Sequence, residues 1–320
     1  MEEEPKVTVC VTTYNQEQYI RSCLQSIVDQ QTNFRFEVIV SDDGSTDGTP
    51  AIVAEFARLH PDVVRPVLRP VNVGAIRNFI EVHNLARGAY VAHMDGDDLM
   101  LPGKLQKQVD FLDANPDFTA VWHRFNLFDD DGEFVSGEKF DLSFFPHGTV
   151  TLEHSLRIGS VGVHSAIMYR RSARKTRQVD FEIIDLFYTW EYLSSGKGKI
   201  LDDVLGGYRI AAKGSIQKNM SKIQRIIAHN QRYYLHLMPW QRRNIFSLAF
   251  IGFLVDVKHC RSSVWSSART AIESLSLVSP LFLLRNLREM KKLPPWAPGP
   301  GSALLARSRR SAEGLNEGQS

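Results

Sequence analysis

The chain has 320 residues, 43% of them hydrophobic, with 38 Lys and Arg against 36 Asp and Glu. Such a length can bury one large or two modest cores, and three scattered cysteines (Cys10, Cys23, Cys260) exclude a disulfide framework or a CxxC metal site. The near-neutral balance hides an asymmetry: residues 1–220 hold 23 basic against 31 acidic side chains, and residues 221–320 hold 15 against 5.

Lys6 to Thr13 reads as a strand, with β-branched residues at six positions from Val7 to Thr13. From Gln16 the pattern turns helical, since Ile20, Cys23, Leu24, Ile27 and Val28 share one face. Phe36 to Val40 is a second strand, ending at Ser41-Asp42-Asp43-Gly44-Ser45-Thr46-Asp47-Gly48. Thr49 is expected to cap a helix with Pro50 in its first turn. Val63–Leu68 and Tyr90–Met94 are further strands, separated by a helix over Val73–Ala86. After Pro102 come a helix to Ala114, a strand over Phe118–Phe128, and a polar hairpin tip at Asp129-Asp130-Asp131-Gly132. Val163–Tyr169 reads as strand, Ile184–Ser195 as helix, and Lys199–Leu201 as a short strand before Gly206-Gly207-Tyr208-Arg209. Helices are predicted over about 221–237, 240–258, 262–277 and 280–292, with a disordered Pro- and Gly-rich tail over 294–320.

Strand and helix alternating three times predict a mostly parallel sheet with right-handed crossovers. Ligands bind such sheets at the carboxyl ends of the strands, where Tyr14, Asp42, Asp43, Asn72, Asp95 and Asp97 all fall. The stretch Tyr90-Val91-Ala92-His93-Met94-Asp95-Gly96-Asp97-Asp98 places three carboxylates within four residues. Like charges that close raise one another's pKa, and a hard divalent cation, Mn²⁺ or Mg²⁺, is the simplest relief. The run from Asp43 imitates a calcium loop but has Ala54 where the twelfth ligand belongs. Neither Gly-x-Gly-x-x-Gly nor Gly-Lys-Ser/Thr occurs, which disfavours a dinucleotide site and a P-loop.

Four ordered motifs carry a family resemblance: Val9-Cys10-Val11-Thr12-Thr13-Tyr14-Asn15, Val40-Ser41-Asp42-Asp43-Gly44-Ser45-Thr46-Asp47, Asn72-Val73-Gly74 with Arg77-Asn78, and Met94-Asp95-Gly96-Asp97-Asp98 with Pro102. Across residues 6–110 the chain resembles family-2 glycosyltransferases, inverting enzymes of the GT-A fold. Asp185-Leu186-Phe187 with Gly196-Lys197, and Tyr208-Arg209 with Gly214-Ser215, resemble the family's acceptor half more loosely. The resemblance implies a catalytic domain over 1–218 (nucleotide-sugar half 1–101, acceptor half 102–218), followed by a helical region over 219–293. It implies a nucleotide-sugar donor, most often UDP-linked, and a glycan or lipid-linked acceptor, in bacterial surface polysaccharide synthesis. Thr12, Tyr14, Asn15, Asp42, Asp43 and Asn72 would then hold the nucleotide, and Arg77 would approach the diphosphate or sugar. Asp97 would bind the metal, with Asp95 near the ribose or the metal.

The general base would be a carboxylate on a helix of the acceptor half, eleven residues before a Gly-Lys turn. Asp185 meets that spacing, although Ile184 stands where the family commonly has Glu or Gly, so Asp180, Glu182 and Glu191 stay in play. His147 and His164 read as structural or surface residues. A nucleotidyltransferase would carry a Gly-rich basic loop, which Thr12–Gln18 lacks, and a catalytically inactive nucleotide-sugar binding module would not need Asp95, Asp97 and Asp185 together.

The acidic start predicts no signal peptide, and no apolar run reaches the roughly 18 residues that span a bilayer. A cytoplasmic location follows as the expectation. Trp240, Phe246, Phe250 and Phe253 beside Arg242, Arg243, Lys258 and Arg261 suggest peripheral contact with an anionic membrane at its inner face. Nucleic acid would suit the charge of the last third but finds no support in the motifs.

Overall fold

The computed structural model describes residues 4–129, 132–137, 142–176, 178–210 and 220–291. Two compact units divide the chain: residues 1–138, 142–156 and 160–216 form one, and residues 139–141, 157–159 and 217–320 the other.

The first unit begins with β1 (Val7–Thr13), α1 (Ile20–Val28), β2 (Phe36–Asp42), α2 (Thr49–Leu59), β3 (Val64–Leu68), α3 (Ala75–Asn84) and β4 (Tyr90–Asp95). These strands lie in the order β3-β2-β1-β4 with every pairing parallel. Helix α1 forms as its apolar spacing predicts, and Ile20, Cys23, Leu24 and Ile27 join the core that includes Val7, Val9 and Val11 of β1. Each Val-, Leu- or Ile-sized side chain so buried contributes about 1.5–3 kcal/mol.

The chain continues through β5 (Leu99–Met100), α4 (Lys104–Ala114), β6 (Phe118–Phe128), β7 (Phe134–Gly137), β8 (Thr149–Val150), α5 (Leu152–Ile158), β9 (Met168–Arg170), α6 (Asp185–Ser194) and β10 (Lys197–Arg209). The strands of this stretch extend the same sheet. Strand β9 runs antiparallel between β4 and β6, β10 pairs parallel to β6, and β5 and β8 pair antiparallel to β10.

Local expectations are corrected at three places. Thr49 opens α2 instead of capping it, and its Oγ1 accepts the Gln16 N–H at 2.9 Å while Asp47 Oδ1 accepts the Thr49 N–H. The strand expected over Val163–Tyr169 is broken by a 3₁₀ turn at His164–Ala166 and leaves only Met168–Arg170 as β9. The short strand expected at Lys199–Leu201 is a 13-residue strand that absorbs Gly206, Gly207, Tyr208 and Arg209 through bulges against β6. Asp129 and Gly132 lie in the turn joining β6 to β7, as expected of a hairpin tip, and Asp130, Asp131, Gly214 and Ser215 fall outside the described residues.

The second unit contains α7 (Met220–Leu237), α8 (Arg242–Lys258), α9 (Val264–Glu273) and α10 (Pro280–Lys291). Its small core holds Phe246, Ala249 and Ala271. Phe246 therefore faces inward, stacked 5.5 Å from Phe250, and is not open to a lipid surface as its sequence neighbours suggested. The large apolar side chains exposed in this unit include Trp240, Trp265, Ile272, Leu275, Leu277 and Leu281. The tail over 294–320 lies outside the described residues. Among the described residues no helix is long and apolar enough to cross a membrane.

Candidate active site

Parallel pairing brings the carboxyl ends of β1, β2 and β4 side by side, with Thr12 opposite Asp95 and Thr13 opposite Asp42. Thr12 Oγ1 donates to Asp95 Oδ1 at 3.3 Å. The 3₁₀ turn that interrupts the Val163–Tyr169 stretch sets Ser165 against the same strand end. Its hydroxyl accepts the Asp95 N–H at 3.0 Å and donates to Asp98 Oδ2 at 2.5 Å. Asp98 Oδ1 accepts the Arg209 N–H at 2.8 Å, so this buried carboxylate ties β10 and the Ser165 turn to the end of β4. Arg209 in turn donates from Nε to the Asp97 carbonyl at 3.0 Å and lies 4.3 Å over the Tyr19 ring. Gly96 is required by crowding, because a Cβ there would sit 2.5 Å from Gln16 Oε1 and 2.9 Å from the Thr13 side chain.

The four carboxylates differ in proton affinity. Burial raises Asp95, but the neighbouring His93 and His164 and the Thr12 hydrogen bond outweigh it and hold Asp95 at about 2. Burial and the Asp95 charge push Asp97 up to about 6. Burial and the charges of Asp97 and Asp95 drive Asp98 well above the usual carboxylate range. Lys104, buried at the start of α4 and donating to the Ser165 carbonyl at 2.5 Å, is lowered to about 7 by burial despite the Asp98 charge. Asp185 is the first residue of α6, where the helix dipole favours a carboxylate. Its Oδ1 accepts the Leu186 N–H at 2.9 Å, yet burial and then the Asp95 charge raise its proton affinity. The Tyr208 phenol is raised by burial and then by the charges of Asp98, Asp95, Asp97 and Asp185 in that order.

The expected nucleotide residues are ordered by one another. Asp42 accepts the Ser45 N–H at 3.1 Å and its hydroxyl as well. Asp43 accepts the Val73 N–H at 2.9 Å and the Gly74 N–H at 3.0 Å, which ties the β2 end to the turn before α3. Gly44 between these motifs has φ +72° and no room for a Cβ, which would lie 2.6 Å from the Val71 carbonyl carbon. Asn15, at φ +51°, accepts the Thr46 N–H on its Oδ1 at 2.8 Å, and Asn72 Oδ1 accepts the Gly74 N–H at 3.0 Å. Tyr14 is 46% exposed beside them, free of the core. Arg77 is 69% exposed and pairs with Glu81 of its own helix at 2.7 Å. Among the alternative bases, Glu191 accepts the Lys175 and Thr176 N–H groups at 3.0 and 2.9 Å and is a structural group, while Asp180 and Glu182 are exposed.

Sequence reading missed the histidines. His93 lies two residues before Asp95 on the same face of β4, and that period-two spacing is the signal that would have found it. Its Nε2 lies 3.1 Å from Asp95 Oδ1. The His164 ring, expected to be structural, stacks 4.0 Å from the His93 ring, and one donor atom each from His93, Asp95 and His164 lie within 4.8 Å of one another. Burial lowers His164 well below the ordinary imidazole range, leaving a neutral ring with a lone pair. A divalent cation fits this donor set, since one carboxylate and two imidazoles bring donor atoms to one point beside the crowded Asp97 and Asp98 carboxylates.

A model of glycosyl transferase family 2 matches residues 8–177. An uncharacterized protein of Mycobacterium tuberculosis (strain ATCC 25618 / H37Rv) is 43% identical over 209 residues, which cover 65% of this chain and 60% of that relative. The solved structure of residues 1–349 of S. aureus TarS in complex with UDP-GlcNAc superimposes with a TM-score of 0.64 at 19% identity, over 90% of this chain and 89% of that one. A mannosyltransferase from Pyrobaculum calidifontis, solved with GDP-Man and Mn²⁺, gives 0.57 at 18% identity over 92% of this chain and 83% of its own. The likeness to both solved structures is one of fold, a sheet of mostly parallel strands flanked by helices with further helices at the C-terminal end. With the family model matched across more than half its length, the chain belongs to glycosyl transferase family 2.

Proposed function

We propose that this protein is an inverting glycosyltransferase that moves a sugar from a nucleotide sugar, UDP-linked, to a hydroxyl of a glycan or lipid-linked acceptor in surface polysaccharide assembly. The observation that carries the reading is the family-2 match over residues 8–177 joined to Asp185, a carboxylate at the first residue of α6 whose proton affinity burial and then the Asp95 charge raise. An acceptor hydroxyl becomes a nucleophile only as a positioned base takes its proton, and a carboxylate with raised affinity does so more readily. Asp185 receives that proton on a carboxylate oxygen. A single in-line displacement then inverts the anomeric centre, so one base suffices and no second carboxylate nucleophile is needed.

Thr12, Tyr14, Asn15, Asp42, Asp43 and Asn72 form the nucleotide end of the site, the two aspartates by holding the Ser45 and Val73-Gly74 turns in place. Arg77 is the candidate cation for the diphosphate, after exchanging its Glu81 partner. Asp95 and Asp97 would hold Mn²⁺ or Mg²⁺, which when bound offsets the charge developing on the nucleoside diphosphate leaving group. The domain division follows the same reading: residues 1–101 serve the donor, 102–218 the acceptor, and 219–293 are helical.

The helical unit is proposed to contact an anionic leaflet peripherally. Its described sequence, 220–291, has 11 basic against 3 acidic side chains, with Trp265 82% exposed and Leu277 fully so. Interfacial helices combine such groups. Cosedimentation with anionic vesicles at low salt, weakened in Trp265→Ser/Leu277→Ser, is the expected result, and equal binding of that variant refutes the contact.

The transfer reading is tested by incubating the full chain with Mn²⁺ and a panel of nucleotide sugars and measuring nucleoside diphosphate release. Release from one or a few donors, stimulated by an acceptor hydroxyl, is expected. Pyrophosphate release from a nucleoside triphosphate and a sugar phosphate would instead identify a nucleotidyltransferase, and binding without turnover an inactive module.

A further inference from the structure

We propose that the divalent cation of this site is held by nitrogen as well as oxygen, with His93 and His164 joining Asp95 as ligands and His83 and Tyr169 fixing the His93 ring. This rests on reading the site as a nucleotide-sugar site and adds the class of ion it selects.

Three arrangements support it. The donor atoms of His93, Asp95 and His164 already lie within 4.8 Å of one another, so a cation between them requires small side-chain shifts. His93 is held from behind, as metal-binding imidazoles usually are: its Nδ1 lies 3.0 Å from His83 Nε2, and His83 Nδ1 lies 2.7 Å from the Tyr169 hydroxyl. Finally, the Phe79 ring packs 4.0, 5.1 and 4.8 Å from the rings of His83, His93 and His164, an apolar floor that seats all three without a competing donor.

The chain of hydrogen bonds accommodates both states. Without the ion, one tautomer set satisfies every pair: Tyr169 O–H donating to His83 Nδ1, His83 Nε2–H to His93 Nδ1, and His93 Nε2–H to Asp95 Oδ1. With the ion, His93 Nδ1–H donates to His83 Nε2 and His83 Nδ1–H to the Tyr169 oxygen, which turns the His93 Nε2 lone pair toward the metal. His83 and His93 are each 1% exposed, so these partners are fixed by packing and not by solvent.

Imidazole donors raise affinity along the first-row series, so Co²⁺ and Zn²⁺ gain more from this set than Mn²⁺, whereas Mg²⁺ prefers oxygen donors and retained waters. The test uses the untagged full chain with Mn²⁺ and UDP, examined by pulsed electron paramagnetic resonance for nitrogen bound directly to the metal. The expected spectrum contains imidazole nitrogen coupling, and calorimetry is expected to give Co²⁺ an affinity at least about tenfold above that of Mg²⁺. His93→Gln and His164→Gln should each weaken Mn²⁺ binding and lose nitrogen coupling. His83→Gln, which alters only the supporting hydrogen bond, should weaken Mn²⁺ by about 10-fold or more while retaining the coupling. The parent spectrum decides the question even if a variant fails to fold. Bound Mn²⁺ without nitrogen coupling, or no Mn²⁺ binding at millimolar concentration, overturns the proposal. Donor turnover alongside either result leaves the transferase reading standing, while nitrogen coupling with no UDP binding and no turnover removes that reading and keeps the ligand set.

Discussion

Asp43→Ala separates a residue that shapes the proposed nucleotide pocket from one that would touch the nucleotide. In the parent the carboxylate is 2% exposed and accepts two backbone N–H groups, from Val73 at 2.9 Å and Gly74 at 3.0 Å. Hydrogen bonds to a charged acceptor contribute about 1.5–3 kcal/mol each, so the pair is worth about 3–6 kcal/mol before the cost of burying the carboxylate is subtracted. Relief of that cost and entry of water into the vacated space reduce the expected loss to about 2–4 kcal/mol. The measurement is urea unfolding of parent and variant, with amide exchange at Val73 and Gly74 as the local reading and calorimetric titration of UDP alongside. Stability should fall by that amount, both amides should lose protection, and UDP affinity should fall because the turn carrying Asn72 is released. Asp43→Asn, which keeps one acceptor oxygen, should recover part of the stability. A variant that unfolds with the parent and keeps both amides protected, yet no longer binds UDP, would refute the reasoning and place Asp43 against the ligand.

Asp185→Asn should leave UDP affinity near that of the parent and lower kcat by about 10²-fold or more, the scale of a lost general base; full kcat would return the role to Asp180 or Glu182. Gly44→Ala should destabilise the chain by about 1–3 kcal/mol or more, since a positive φ is strained for alanine and its Cβ meets backbone. Burial raises Glu37, but the Arg87 and Thr8 hydrogen bonds outweigh it and lower its pKa. The stability from Glu37 is therefore present above the unfolded carboxylate range and lost as pH falls through the depressed folded value. Urea unfolding of Glu37→Gln between pH 3 and 7 should show a shallower acid-side loss of stability than the parent, and an identical pH slope would count against that linkage.

The first half of the fold was legible because its signals are local. β-branched runs, a one-sided apolar stripe in α1, and Asp-rich strand ends follow from sequence neighbours alone. Strand β10 was not, because Asp202, Asp203, Gly206 and Gly207 break the apolar pattern after Leu201, and only pairing of Val204 and Gly206–Arg209 with β6, around bulges at Asp202-Asp203 and Leu205, carries the strand on. The site divides the same way. Asp95 and Asp97 announce themselves by charge and spacing and Asp185 through the family resemblance, whereas Ser165 and His164 come from a segment some 70 residues later that packing alone brings to Asp95. Asp98 reads as another member of the acidic cluster, and only the hydrogen bonds to Ser165 and Arg209 reveal it as a tie.

The unbroken sheet restricts how this chain can move. Strands β4, β9, β6 and β10 are hydrogen-bonded in sequence, so the proposed donor and acceptor halves share one continuous ladder. A clamshell opening between them would have to unzip buried backbone pairs, each costly to leave unsatisfied. Under the proposed function, donor admission and product departure would run through segments at the strand ends, such as the Asn72-Gly74 turn that Asp43 anchors. On that reading, exchange of donor and product is expected to be gated at the rim of this sheet, and substitutions that slow it should cluster there instead of at a boundary between the proposed halves.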